Sequence, residues 1–125
     1  MELLFVADPL ESFKIYKDTT FAMMREAQRR GHRIVACEPQ QLRWERGGVV
    51  VAQVRAIALT GDPAVWFTET ASSERAVKDF GAVVMRKDPP FDSEFFYATH
   101  LLEQAEREGA QVFNKPRALR DHPEK

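Results

Sequence analysis

Short unbroken apolar runs alternate along the chain with longer stretches in which apolar residues recur every three or four positions. Leu3-Leu4-Phe5-Val6-Ala7, Ile34-Val35-Ala36-Cys37 and Gly81-Ala82-Val83-Val84-Met85 are of the first kind. Runs of this length with no polar alternation predict strands buried on both faces, as in a parallel sheet. Between the first two, Phe21, Met24 and Ala27 repeat at spacing three, with Ala22 and Met23 widening the stripe. Asp18 reads as the N-cap of that helix, and Arg29-Arg30-Gly31 as its end. After the third run, Phe91, Phe95, Ala98, Leu102 and Ala105 fall on one helical face. Asp92 would cap this helix, Glu103, Glu106 and Arg107 take its other side, and Gly109 stops it. Gln111-Val112-Phe113 predicts a last short strand.

The middle of the chain breaks the alternation. Residues 42–45 and 49–59 flank Arg46-Gly47-Gly48, and Gly-Gly between β-branched residues predicts a hairpin. That hairpin either extends the sheet or stands out from it. Trp66-Phe67 and the polar residues 68–73 read as a loop, and 73–80 as a short helix. The order β-α-β, hairpin, β-α-β predicts an α/β fold, an open sheet with helices against its faces. Ligands of such sheets gather beyond the carboxyl ends of the strands. That rule singles out three loops: a polar one over 8–18, a second over 86–92, and the chain from Asn114 onward.

Composition narrows the function. A chain of 125 residues makes one domain or a piece of one. A net charge of −1 leaves no electrostatic footprint for nucleic acid, and the basic pairs Arg29-Arg30 and Arg86-Lys87 have acidic neighbours. The single cysteine, Cys37, cannot form an internal disulfide, and its apolar setting predicts a buried, inert thiol. The first apolar run, flanked by Glu2 and Asp8, is too short and too acidic for a signal peptide, and no run approaches a membrane span. A cytoplasmic protein follows as the expectation. Nucleotide-binding glycine motifs and the nucleophile-elbow motif do not occur, and His32, His100 and His122 lack metal-ligand spacing.

The chemistry gathers in the loops. The first holds Asp8, Lys14, Lys17, Asp18, Thr19 and Thr20, where a helix would aim its free N–H groups at the ligand edge. The second holds Arg86, Lys87 and Asp88, followed by Pro89 and Pro90, which would lock the loop. Arg86 can pair bidentately with a carboxylate or phosphate. Equally, Arg86 and Asp88 can satisfy each other at a strand end, and residue types alone leave both readings open.

The stretches "DPL", "YKDTTFAMMREAQRRGH" and "VVMRKDPPFDSEFFYATHLLEQAEREGAQVFNKPRALRDHPEK" resemble the N-terminal domain of bacterial glutathione synthetase. The resemblance runs from Met1 to Lys125 and implies a Rossmann-like open sheet with an inserted β-hairpin, the pre-ATP-grasp domain. It implies an enzyme of the ATP-grasp superfamily that joins γ-glutamylcysteine to glycine, with ATP cleaved to ADP and phosphate through an acylphosphate. Magnesium would serve the phosphates, and the family enzyme would be a homotetramer. Family members continue past the position of Lys125 into the ATP-grasp domain, so the expectation is that residues 1–125 form one cleft wall and are inactive alone. The resemblance makes Arg86, with Lys87 and Asp88, the leading substrate-binding or cleft-organising residues. Arg86 would pair with a substrate carboxylate, or hold the cleft through Asp88 or Asp8. Lys17, Asp18, Thr19 and Thr20 rank second, and Lys125 would reach the nucleotide. No catalytic or metal-binding residue is assigned to this chain, and no cofactor is expected to bind it alone. A stand-alone, non-catalytic α/β ligand-binding module is the alternative.

Overall fold

A computed structural model describes residues 1–15, 18–44, 48–86 and 93–113, with Glu94 by its backbone only. The three unbroken apolar runs form the heart of one sheet: β1 (Glu2–Ala7), β2 (Arg33–Cys37) and β6 (Ala82–Arg86). β1 lies between the other two and runs parallel to both, and β7 (Val112–Phe113) continues the parallel set beyond β6. Their continuous apolar character follows from cover on both faces. Leu4, Val6, Val35, Val83 and Met85 point into one core with helix α2 (Ser93–Arg107). Phe5, Ile34, Ala36 and Val84 point into the other, with Met24 and Ala27 of helix α1 (Thr19–Arg29). Alternate residues of one strand thus serve different cores, as the period of two requires.

Both helices end as their sequences predict. Asp18 caps α1, its carboxylate accepting from the N–H groups of Thr20 (2.8 Å) and Phe21 (3.2 Å). At its far end the N–H of His32 reaches the carbonyl of Ala27 and that of Gly31 reaches Gln28, with Gly31 at φ 87°. The same bond pair closes α2 at Gly109, φ 115°, through Ala110 to Ala105 and Gly109 to Glu106. This six-to-one and five-to-two pattern needs a left-handed residue, hence glycine. Phe95, Ala98, Leu102 and Ala105 are buried on α2 as their spacing predicts. On α1 the buried set is Thr20, Met24 and Ala27, whereas Ala22 and Met23, read as part of the stripe, are exposed. They lie on the flank of the helix beyond the width that the sheet covers. The prospective cap Asp92, Phe91 and the Arg46-Gly47 turn lie outside the described residues.

The middle segment departs most from expectation. β3 (Leu42–Trp44) and β4 (Val50–Leu59) pair antiparallel, so the hairpin exists, and β4 also pairs antiparallel with β2, so it extends the sheet. Residues 68–73 are not a loop, nor 73–80 a helix. Phe67–Ala76 is β5, a ten-residue strand paired antiparallel with β4, and only Val77–Asp79 makes a helical turn, of the 3-10 type. A strand has two edges, and β5 lies along most of β4, so β2 and β3 share the opposite edge. The Thr68–Glu74 side chains of β5 are all exposed, which removes the apolar alternation that announces a strand. Its register skips Thr70 between Ala56↔Ala71 and Ile57↔Glu69, a bulge that turns the following residues to the other face.

Candidate functional site

The parallel strands β1, β2 and β6 bring their carboxyl ends to one edge. Asp8 follows β1, Glu38 follows β2, and Arg86 is the last residue of β6, level with Ala7. The N-terminus of α1 opens at the same edge. Here the structure joins two of the residues singled out from sequence: Arg86, half-buried, donates from Nε to Oγ1 of the buried Thr20 at 3.3 Å. Among the described residues no carboxylate forms an ion pair with Arg86. Asp18 is committed to its cap, with two backbone N–H groups on one carboxylate oxygen. Thr19 is exposed and lines a shallow apolar depression along α1 with Ala22, Met23 and Ala27. Lys17, Lys87, Asp88 and Lys125 lie outside the described residues, as do Pro89 and Pro90.

The loop after β1 is less polar in its packing than in its composition. Leu10 is buried in a 3-10 turn (Leu10–Ser12), and Phe13 and Ile15 pack on the core beneath α1. Two contacts reach it from the β4–β5 ribbon. Phe13 stacks on Trp66, with ring centroids 5.3 Å apart and planes 11° from parallel. Glu11 pairs with Arg55 of β4 at 3.0 Å. That hydrogen bond is the main reason the Glu11 carboxyl lies below the ordinary carboxylate range. Trp66 also meets Phe21 of α1 edge-on at 5.3 Å and Phe67 at 4.6 Å. One buried tryptophan therefore holds the loop, the helix start and the ribbon together. Sequence reasoning passed over Trp66; its only signal was an aromatic pair inside a polar stretch.

A small crevice beside this network is lined by Asp8, Glu38, Gln41 and Arg55 above Cys37. Burial, with the Glu38 carboxylate as the lesser cause, pushes the Cys37 thiol up to about 12, which keeps it protonated and inert. Among the described residues no three His, Cys, Asp or Glu side chains converge on a point that would hold a metal ion. No described helix is long and apolar enough to cross a membrane.

What this edge can do is hold an anion against an oriented guanidinium, at the place where open α/β sheets bind ligands. Comparison with known proteins gives the family. Residues 1–120 match the family described as "Prokaryotic glutathione synthetase, N-terminal domain". The chain belongs to this family. Among curated relatives, the glutathione synthetase of Ralstonia nicotianae is 54% identical over the whole chain, which covers 38% of that protein. Those of Nitrosomonas europaea and Neisseria meningitidis serogroup B are each 47% identical, again over the whole chain and 40% of their length. The chain thus spans about two fifths of the curated relatives it matches, and it corresponds to the N-terminal part of a synthetase rather than to a stand-alone ligand-binding module.

Proposed function

We propose that the complete protein carrying this domain is an ATP-dependent carboxylate–amine ligase that joins γ-glutamylcysteine to glycine. The reading rests on family membership, and the observation that carries it to named residues is the Thr20-anchored Arg86 at the carboxyl end of β6. In this scheme the dipeptide carboxylate takes the γ-phosphoryl group of ATP, giving an acylphosphate and ADP. The glycine amine then attacks the acyl carbon, phosphate departs, and the nitrogen loses a proton. Magnesium, held outside the described residues, would supply charge neutralisation at the phosphates. The part of the work assigned to residues 1–125, taken as one pre-ATP-grasp domain, is positioning. Arg86, with Lys87 and Asp88, forms a wall that holds a substrate carboxylate, while Lys17 and the start of α1 at Asp18, Thr19 and Thr20 shape the adjoining edge. Lys125 reaches the nucleotide, the ATP-grasp portion follows it, and the complete enzyme is a cytoplasmic homotetramer.

Residues 1–125 alone are inactive in this scheme, since the nucleotide clamp and metal carboxylates lie elsewhere. Phosphate release from ATP is the measurement. It should depend on γ-glutamylcysteine and glycine together in the complete enzyme, and be absent with the 125-residue chain. Dependent release by the chain alone would overturn the division of labour. In the complete enzyme, Arg86→Lys should raise KM for γ-glutamylcysteine roughly tenfold with an unchanged melting temperature, because a lysine cannot reproduce a bidentate contact. An unchanged KM with a lowered melting temperature would make Arg86 a support of the cleft instead.

A further inference from the structure

We propose that Thr20 is a positioning residue: it fixes the guanidinium of Arg86 so that a substrate carboxylate is met end-on, through the two terminal nitrogens. The inference rests on the reading of Arg86 as a carboxylate contact. A guanidinium offers two bidentate edges, one made by Nε with a terminal nitrogen and one made by both terminal nitrogens. The bond to Thr20 Oγ1 occupies Nε and so removes the first edge. No described carboxylate pairs with Arg86 to claim the second.

Thr20 is suited to this task by its own restraints. It is 6% exposed, in the first turn of a helix whose next turns are anchored by the buried Met24 and Ala27. Its N–H is held by Asp18 Oδ1 at 2.8 Å, which sets the backbone from which its hydroxyl projects. A β-branched side chain has few rotamers in a helix, so the oxygen has little freedom to leave Arg86. Arg86 is held in turn by β6, through its pairing with Ala7. The bond links positions 66 residues apart and couples the start of α1 to the end of the strand that carries the guanidinium.

The test compares Thr20→Val, which keeps the shape and removes the acceptor, with Thr20→Ser, which keeps the acceptor. Both are made in the complete enzyme, alongside Arg86→Lys. Loss of an oriented contact formed equally in ground and transition states raises KM and spares kcat. Thr20→Val should therefore raise KM for γ-glutamylcysteine about tenfold with kcat within about twofold, and Thr20→Ser should restore KM to within about twofold. KM for glycine should not move. If Arg86→Lys raises KM and Thr20→Val does not, the positioning role is overturned and the reading of Arg86 stands. If neither variant changes KM, both fall. If both threonine variants raise KM together with a lowered melting temperature, Thr20 only supports the fold and the proposal fails.

Discussion

The Asp18 carboxylate takes two of the N–H groups that the first turn of α1 cannot satisfy within the helix. Its role was legible from residue type and place: a short acid before an apolar repeat is a cap. Asp18→Ala should lower stability by about 1 kcal/mol, read as a shift in the urea midpoint of the chain at neutral pH. A midpoint that stays put would mean that the helix start is held by Trp66 and Phe21 alone. The Thr20–Arg86 bond was not legible. Each residue had been singled out by its own loop, but no local signal pairs positions 66 residues apart. Cys37 shows the converse, a residue whose inertness follows from its apolar neighbours in sequence and is reached in the structure through burial.

Elements with a repeating apolar pattern were readable, and elements that borrow their stability were not. The apolar repeat of helix α2 recurs every three or four positions, and the four of its five residues that are described, Phe95, Ala98, Leu102 and Ala105, are all buried. β5 has no such pattern because it contributes little to the core; it exists as a strand through its ladder with β4. It is tied down by ion pairs rather than burial, from Glu74 to Arg43, Glu69 to Arg55 and Arg75 to Glu2. Strands held mainly by exposed hydrogen bonds open at low cost. Amide hydrogen exchange of the chain should therefore show the paired N–H groups of residues 68–74 exchanging at least about a hundredfold faster than those of β1. Equal protection across the two strands would show that the ribbon opens only with the whole domain. The ribbon still matters to the site, since its Trp66 and Arg55 hold the loop after β1.

At the scale of the whole molecule, two acid–base pairs tie remote segments and make stability depend on pH. Glu2 of β1 receives two bonds from Arg75 of β5, at 2.7 and 3.0 Å, and these hold its carboxyl below the ordinary value of 4.5. Glu11 is lowered in the same direction by Arg55. A carboxyl that is more acidic when folded stabilises the native state above its unfolded value, and this is lost as pH falls through the folded value. Stability should thus be level at neutral pH and fall below about pH 4.5. Glu2→Gln should cost about 1 kcal/mol at pH 7 and flatten the acid limb; Glu11, more exposed, should matter less. Thermal melts between pH 3 and 7 check this, and an acid limb unchanged in Glu2→Gln would sink it. The sequence by itself determined the α/β class, the parallel core strands, the capped start of α1 and the glycine that closes each helix. Each of these follows from local spacing: unbroken runs for strands covered on two faces, a repeat of three or four for helices, and Asp or Gly where backbone groups need a cap or a left-handed turn. The tertiary structure alone decided that a polar stretch is a strand, that Trp66 braces the loop after β1 against α1, and that Thr20 holds Arg86. Those depend on partners brought together by the fold, and the energy that fixes them lies in contacts that no local window of sequence contains.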